Sequence, residues 1–229
     1  MIRCLIFDIE GTTTSVNFVF EVLFPYFRQN VQKLRDRIND PAITSILSQV
    51  QTMVQEEDGL EIDLLGAIER LHQWSVEDRK VAPLKTLQGL LWEEGYRTGA
   101  FRGHIYEDVP RNLNQWQQLG LTMGIYSSGS AYAQKLLFSH SEFGDLTPYF
   151  DWYFDLTLGQ KRASTSYEAI AQTINIDPSA ILFLSDVPEE LNAAQTVGFK
   201  VLQLVRPGTT PSDRHPKVNN FDQIELNAL

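Results

Sequence analysis

Four short stretches hold the residues able to do chemistry. CLIFDIEGTTT (4–14) runs an apolar strand straight into Asp8 and Glu10. Two carboxylates that close repel each other unless positive charge lies between them. IYSSGS (125–130) ends a second apolar run in Ser127, Ser128 and Gly129. GQK sets Lys161 in a loop, and LFLSDVPEEL (182–191) ends a third apolar run in Asp186, with Glu190 one helical turn further on. Asp8, Glu10 and Asp186 offer oxygen only. That donor set suits Mg²⁺, which keeps several waters and binds through one or two carboxylates plus a substrate phosphate. Zinc has no comparable site, because Cys4 is the one cysteine and His72, His104, His140 and His215 are scattered. A carboxylate held beside Mg²⁺ and a lysine can attack phosphorus and form an aspartyl-phosphate, while metal and ammonium spread the charge of the group in transfer. The Ser-Ser-Gly turn adds hydroxyl and N–H donors at a helix start, where an anion is favoured.

The elements that must position these groups follow from pattern. Residues 2–7 read as a buried strand. From Val16 to Arg102 helical periodicity dominates, with helices near 17–37, 41–57, 62–74 and 83–97. Asp40-Pro41 is an N-cap with a first-turn proline, and Pro25 must kink or restart the first helix. After residue 103 strand and helix alternate: LTMGIY (121–126), WYFDL (152–156), AILFLS (180–185) and KVLQLV (200–205) are strands, and Asp108 opens the first of the intervening helices. This predicts an α/β fold, a doubly wound parallel sheet core with a helical cap inserted after the first strand. The core comprises 1–15 and 104–229, and the cap 16–103. In such sheets ligands bind beyond the carboxyl ends of the strands. Asp8, Ser127, Lys161 and Asp186 all fall there, and the insertion is placed to act as a lid.

The chain has 229 residues, 43% hydrophobic and 21% charged, with a formal charge of −10. This acidity argues against nucleic acid and anionic membranes as partners. MIRCLIF is too short for a signal peptide and no apolar stretch approaches a membrane span, so a cytoplasmic protein is expected. Cys4 reads as a small buried residue.

The order of these motifs resembles the haloacid dehalogenase-like superfamily of phosphatases over nearly the whole chain. DIEGTTT, with glutamate where that superfamily usually has a second aspartate, narrows the likeness. Together with IYSSGS, GQK, LFLSDVPEEL and VRPG (205–208), it resembles the enolase-phosphatases, or acireductone synthases, of methionine salvage. The resemblance implies that Asp8 is the nucleophile, that Glu10 is the acid/base group, and that Lys161 binds both Asp8 and the phosphate. Ser127 and Ser128 also bind the phosphate. One Mg²⁺ per chain is held by Asp8, Glu10 and Asp186, and Glu190 acts through the metal's water. The substrate implied is a small phosphorylated diketone, and the enzyme a monomer. The alternatives are a general small-metabolite or sugar phosphatase, a metal-independent dehalogenase, and a binding module that has kept the fold. Singly, each motif has a plainer explanation: Ser130 as an N-cap, Lys161 as a solvated lysine, Glu190 as a first-turn acid. The aromatic run NFVFEVLFPYF (17–27) reads mostly as packing within the insertion, with Phe18 or Phe20 the candidate for contact with an apolar substrate tail.

Overall fold

All four residues of the first strand, β1 (Cys4–Phe7), are buried, as expected of a strand covered on both faces. A computed structural model describes Met1 to Ala228. Around β1 lie β2 (Thr122–Tyr126), β3 (Trp152–Phe154), β4 (Ile181–Ser185), β5 (Lys200–Leu204) and β6 (Lys217–Val218). Their order is β3-β2-β1-β4-β5-β6, and every pair is parallel. The chain steps outward from β1 through β2 to β3, then crosses over to β4 on the other side. The switch point therefore lies between β1 and β4, where such sheets open a crevice for a ligand. Helices Asp108–Gln118, Ala131–Ser139, Ser164–Ile174 and Pro188–Thr196 make the crossovers. Tyr167, Ile170, Phe183 and Leu191 are among the buried residues that join sheet to helices. Cys4 is buried, and burial lifts its thiol to about 11, so it is inert packing.

The chain forms two compact units, one of Met1–Phe18 with the chain from Arg102 onward, the other of Val19–Phe101. The second is helical, with helices Phe24–Asn30, Pro41–Asp58, Leu64–Val76 and Ala82–Thr98 around Phe27, Leu47, Leu71 and Trp74. Asp40 caps as its sequence position predicts, its Oδ1 accepting from the Ala42 N–H at 3.0 Å. The sequence predicts a helix over 17–37 that Pro25 kinks or restarts, and the structure shows it restarting at Phe24. The stretch divides into a short helix Val16–Phe18, a π-helical turn Val19–Leu23, the helix Phe24–Asn30 and a 3₁₀ segment Val31–Arg37. Pro25 has no N–H and its ring crowds the carbonyl four residues back, so the chain widens into the π turn just before it. Of the aromatic run, Phe18, Phe24 and Phe27 are buried and Tyr26 packs edge-on against Phe101 at 4.9 Å, while Phe20 stays exposed. Among the described residues no helix is long and apolar enough to cross a membrane.

Candidate active site

Asp8 leaves β1 at the centre of the sheet and is tied into it by its N–H, which donates to the Leu184 carbonyl at 2.9 Å. The chain then turns tightly. The Ile9 carbonyl accepts from the N–H groups of Thr12, Thr13 and Thr14, Gly11 N–H donates to the Thr14 carbonyl, and the Thr13 hydroxyl donates back to the Asp8 carbonyl at 3.3 Å. Backbone bonds close the loop that presents Asp8 and Glu10, and the Thr13 hydroxyl adds one side-chain tie.

Lys161 reaches this loop from beyond β3. Its Nζ lies 2.5 Å from Asp8 Oδ1 and 2.7 Å from Glu190 Oε2. The lysine is held from behind, since Tyr167 Oη donates to the Lys161 carbonyl at 2.7 Å and Tyr126 Oη to the Gly159 carbonyl at 3.0 Å. Glu190 is buried in the first turn of Pro188–Thr196, where a helix start favours a carboxylate, and also accepts from Ser185 Oγ at 2.9 Å. Asp186 follows β4, its backbone carbonyl fixed by Gln203 Nε2 at 2.9 Å. Its Oδ1 is buried with no hydrogen-bond partner among the described residues.

The charges do not balance. Burial disfavours the Lys161 ammonium, but the carboxylates of Asp8 and Glu190 outweigh it and hold the lysine above its ordinary range. Burial, then the negative charge of Asp8, pushes Asp186 up to about 7. The same two causes lift Glu190, with Lys161 and Ser185 pulling the other way. Three buried carboxylates (Asp8, Asp186, Glu190) meet one ammonium, an excess of two negative charges when all are ionised, and the half-buried Glu10 carboxylate adds to it. A divalent cation would offset that excess, and the bare Asp186 oxygen could serve it as a ligand. Among the described residues no three His, Cys, Asp or Glu side chains converge as a metal cluster. A hard cation does not require one: two carboxylates, a backbone carbonyl, phosphate and water complete its shell. The residues present therefore fit Mg²⁺.

A pH dependence follows. Asp186 and Glu190 have folded-state pKa values raised above their unfolded ones, so the folded protein binds the extra protons and is destabilised as pH rises through about 7. In EDTA, the melting temperature should fall between pH 5.5 and pH 8. Adding Mg²⁺ at pH 8 should restore it. Calorimetric scans check this, and a metal-free melting temperature that rises with pH over that window contradicts it.

Ser127 is buried beyond β2, its Oγ accepting from the Gly129 N–H at 3.3 Å, and Ser128 is half-buried beside it. Ser130 caps the helix that follows, as its plainer sequence reading has it. Ser130 Oγ takes the Ala133 N–H and Asp155 Oδ2 takes the Ala131 N–H at 2.9 Å. Glu10 is half-buried and bridges to Thr14, and its charge is felt by Asp186. His104 is linked to the chain leaving β1: its Nδ1 accepts from Ser15 N–H at 3.1 Å and Thr14 Oγ1 donates to its carbonyl.

Gly11 carries no chemistry of its own in the DIEGTTT string, yet the loop requires it. Its φ is +72°, and a Cβ there would lie 2.4 Å from Asp186 Oδ2. Only glycine lets the Asp8 loop touch the Asp186 carboxylate. Gly11→Ala should leave the sheet intact yet displace Asp186 and weaken Mg²⁺ activation by about 10–100-fold. Phosphate release titrated against Mg²⁺ measures this, and an unchanged titration contradicts it. Glu190, Gln203 and Arg206 also contribute more than their sequence positions announce. The signal for Gln203 was a lone polar residue within an apolar strand, and that for Arg206 was its place after β5.

A parallel sheet bearing an acid-lysine-acid cluster at its switch point defines a hydrolase of the haloacid dehalogenase-like class, whose family model matches residues 2–198. The chain is 60% identical over 224 residues to enolase-phosphatase E1 of Picosynechococcus sp., covering 98% of each. It is 44% identical over 230 residues to enolase-phosphatase E1 of Methylococcus capsulatus, covering both in full. The crystal structure of the UTR4 protein of Saccharomyces cerevisiae has a TM-score of 0.83 and 32% identity, covering 98% of this chain and 100% of that one. CbbY of Rhodobacter sphaeroides, with a TM-score of 0.61 at 14% identity over 97% of this chain and 96% of its own, shares the fold alone. The chain belongs to the enolase-phosphatase E1 family.

Proposed function

We propose that this enzyme converts 2,3-diketo-5-methylthiopentyl-1-phosphate to the acireductone 1,2-dihydroxy-3-keto-5-methylthiopentene and inorganic phosphate, as a step of methionine salvage. The observation that carries the reading is the Lys161 ammonium lodged between Asp8 and Glu190, beside the bare oxygen of Asp186.

The substrate loses a proton from C1, beside a carbonyl, and becomes an enol phosphate. Asp8 then attacks phosphorus, and the oxygen on C1 leaves with its electron pair as an enolate conjugated with a ketone. Water attacks the aspartyl-phosphate, releases phosphate and regenerates Asp8. Ser127 and Ser128 donate to the phosphoryl oxygens. Lys161 aims Asp8 through their ion pair and contributes positive charge where the transferring group is most negative. Asp8, Glu10 and Asp186 would hold one Mg²⁺, which adds further charge stabilisation and acidifies the C1 proton.

Glu10 is the proton-transfer group. Glu10→Asp is expected to slow at least one stage about tenfold or more. Wild-type rates in both stages would show that the glutamate has no special role. The reading itself is tested by giving purified protein the diketo phosphate with Mg²⁺. Phosphate and acireductone absorbance should appear together, whereas rapid turnover of many unrelated phosphate esters would favour a general phosphatase.

A further inference from the structure

Beyond β5 lies a buried ion pair that the reaction above does not use. Arg206 presents its guanidinium fork to Asp108, Nη1 to Oδ1 at 2.9 Å and Nη2 to Oδ2 at 2.8 Å, and both side chains are buried. The remaining edge of the fork points elsewhere: Nε donates to the carbonyl of Thr12 at 3.1 Å. The Arg206 Cζ also lies over the Tyr106 ring, 4.1 Å from its centre, and the Tyr106 N–H donates to the Thr13 carbonyl at 3.1 Å. Asp108 Oδ2 also accepts from the Phe221 N–H at 2.7 Å.

Thr12 belongs to the loop that carries Asp8, Glu10 and Gly11, and Gly11 abuts the Asp186 carboxylate. The loop is thus gripped on one side by Arg206 and meets Asp186 on the other. We propose that Arg206, with Asp108 as its anchor, is a positioning residue that fixes the 8–14 loop against Asp186 and so sets the cation site. A guanidinium suits this task because its planar fork engages a carboxylate and a third acceptor at once in fixed geometry, which an ammonium does not reproduce. The inference rests on the phosphatase reading for the meaning of the site, but its readout is binding of the metal alone.

A buried pair that only stabilises the fold can be exchanged for neutral groups with little effect. Arg206→Met with Asp108→Asn makes that exchange. It strands no buried charge and keeps an amide oxygen for the Phe221 N–H. Arg206→Lys keeps the charge and removes the fork. Calorimetric titration with MgCl₂, alongside melting temperatures, should show both variants folded and both binding Mg²⁺ about 10–100-fold more weakly than wild type, the range for residues that orient metal ligands. At saturating Mg²⁺ the loss should appear in kcat more than in KM. Wild-type Mg²⁺ affinity in either variant overturns the proposal and leaves the phosphatase reading standing. A wild-type protein that binds no Mg²⁺ overturns both.

Discussion

Asp8→Asn is expected to abolish phosphate release, lowering kcat by a factor on the order of 10⁴ or more, the scale seen when a covalent nucleophile is removed. The amide has the shape of the carboxylate but no electron pair able to displace an alkoxide from phosphorus. Enolisation needs no nucleophile at phosphorus and should continue, so the variant should accumulate the enol phosphate without releasing phosphate. Stability should respond in the opposite direction to activity. The charge of Asp8 is one cause of the raised pKa of both Asp186 and Glu190, second only to burial. Removing it relieves a crowd of like charges, and Lys161 still has Glu190 at 2.7 Å. The metal-free variant should therefore melt no lower than metal-free wild type at pH 7.5. Quenched assays that follow phosphate and enol separately, with a melting curve, check all three outcomes. Residual phosphate release within tenfold of wild type would remove Asp8 from the nucleophile's role.

The sequence revealed the parts of the molecule that depend on local pattern. Apolar runs of strand length ending in Asp8, Ser127 and Asp186 predict three parallel strands and the edge at which their ends meet, because a strand buried on both faces must read as nearly continuous apolar residues. Proline and capping signals located the insertion's helices. The illegible parts are those made by contact across the chain. β6 is two residues, Lys217–Val218, neither of them buried, and has no apolar run to announce it. Glu190 stands in the sequence either as a group acting through the metal's water or as a plain first-turn acid, because nothing in LFLSDVPEEL reveals that Lys161 comes back to meet it. Arg206 and Asp108 are 98 positions apart, and their pairing becomes visible only once β1 and β5 lie in one sheet. Gly11 was in plain view as a letter, but its necessity depends on an Asp186 carboxylate that arrives from a different strand.

Lys161→Met should be the most damaging change to the site that leaves every carboxylate in place. Methionine keeps much of the apolar stem and packs beside Tyr126, whose ring lies 5.9 Å from the ammonium. It removes the one cation that Asp8 and Glu190 share. Breaking a buried pair by removing one partner costs about 3–5 kcal/mol, because the remaining charge is left uncompensated. Here two carboxylates are left, so Glu190 should take up a proton to limit the loss. That response fixes the sign of the pH dependence. With the lysine gone, the folded-state pKa of Glu190 rises further above its unfolded value. The protonated form keeps the variant stable at low pH, and that stability is lost as pH rises. The gap in melting temperature between variant and wild type, both without metal, should be small near pH 5 and widest near pH 8. Catalysis should fall on a separate scale, by about 10²–10³ in kcat, the cost of deleting a donor aimed at charge that develops in the transition state. Mg²⁺ should recover the stability of the variant without recovering its rate, since a second positive charge relieves the carboxylates but does not hold Asp8 in line with phosphorus. If Mg²⁺ restored both together, Lys161 would be a charge-balancing residue and nothing more.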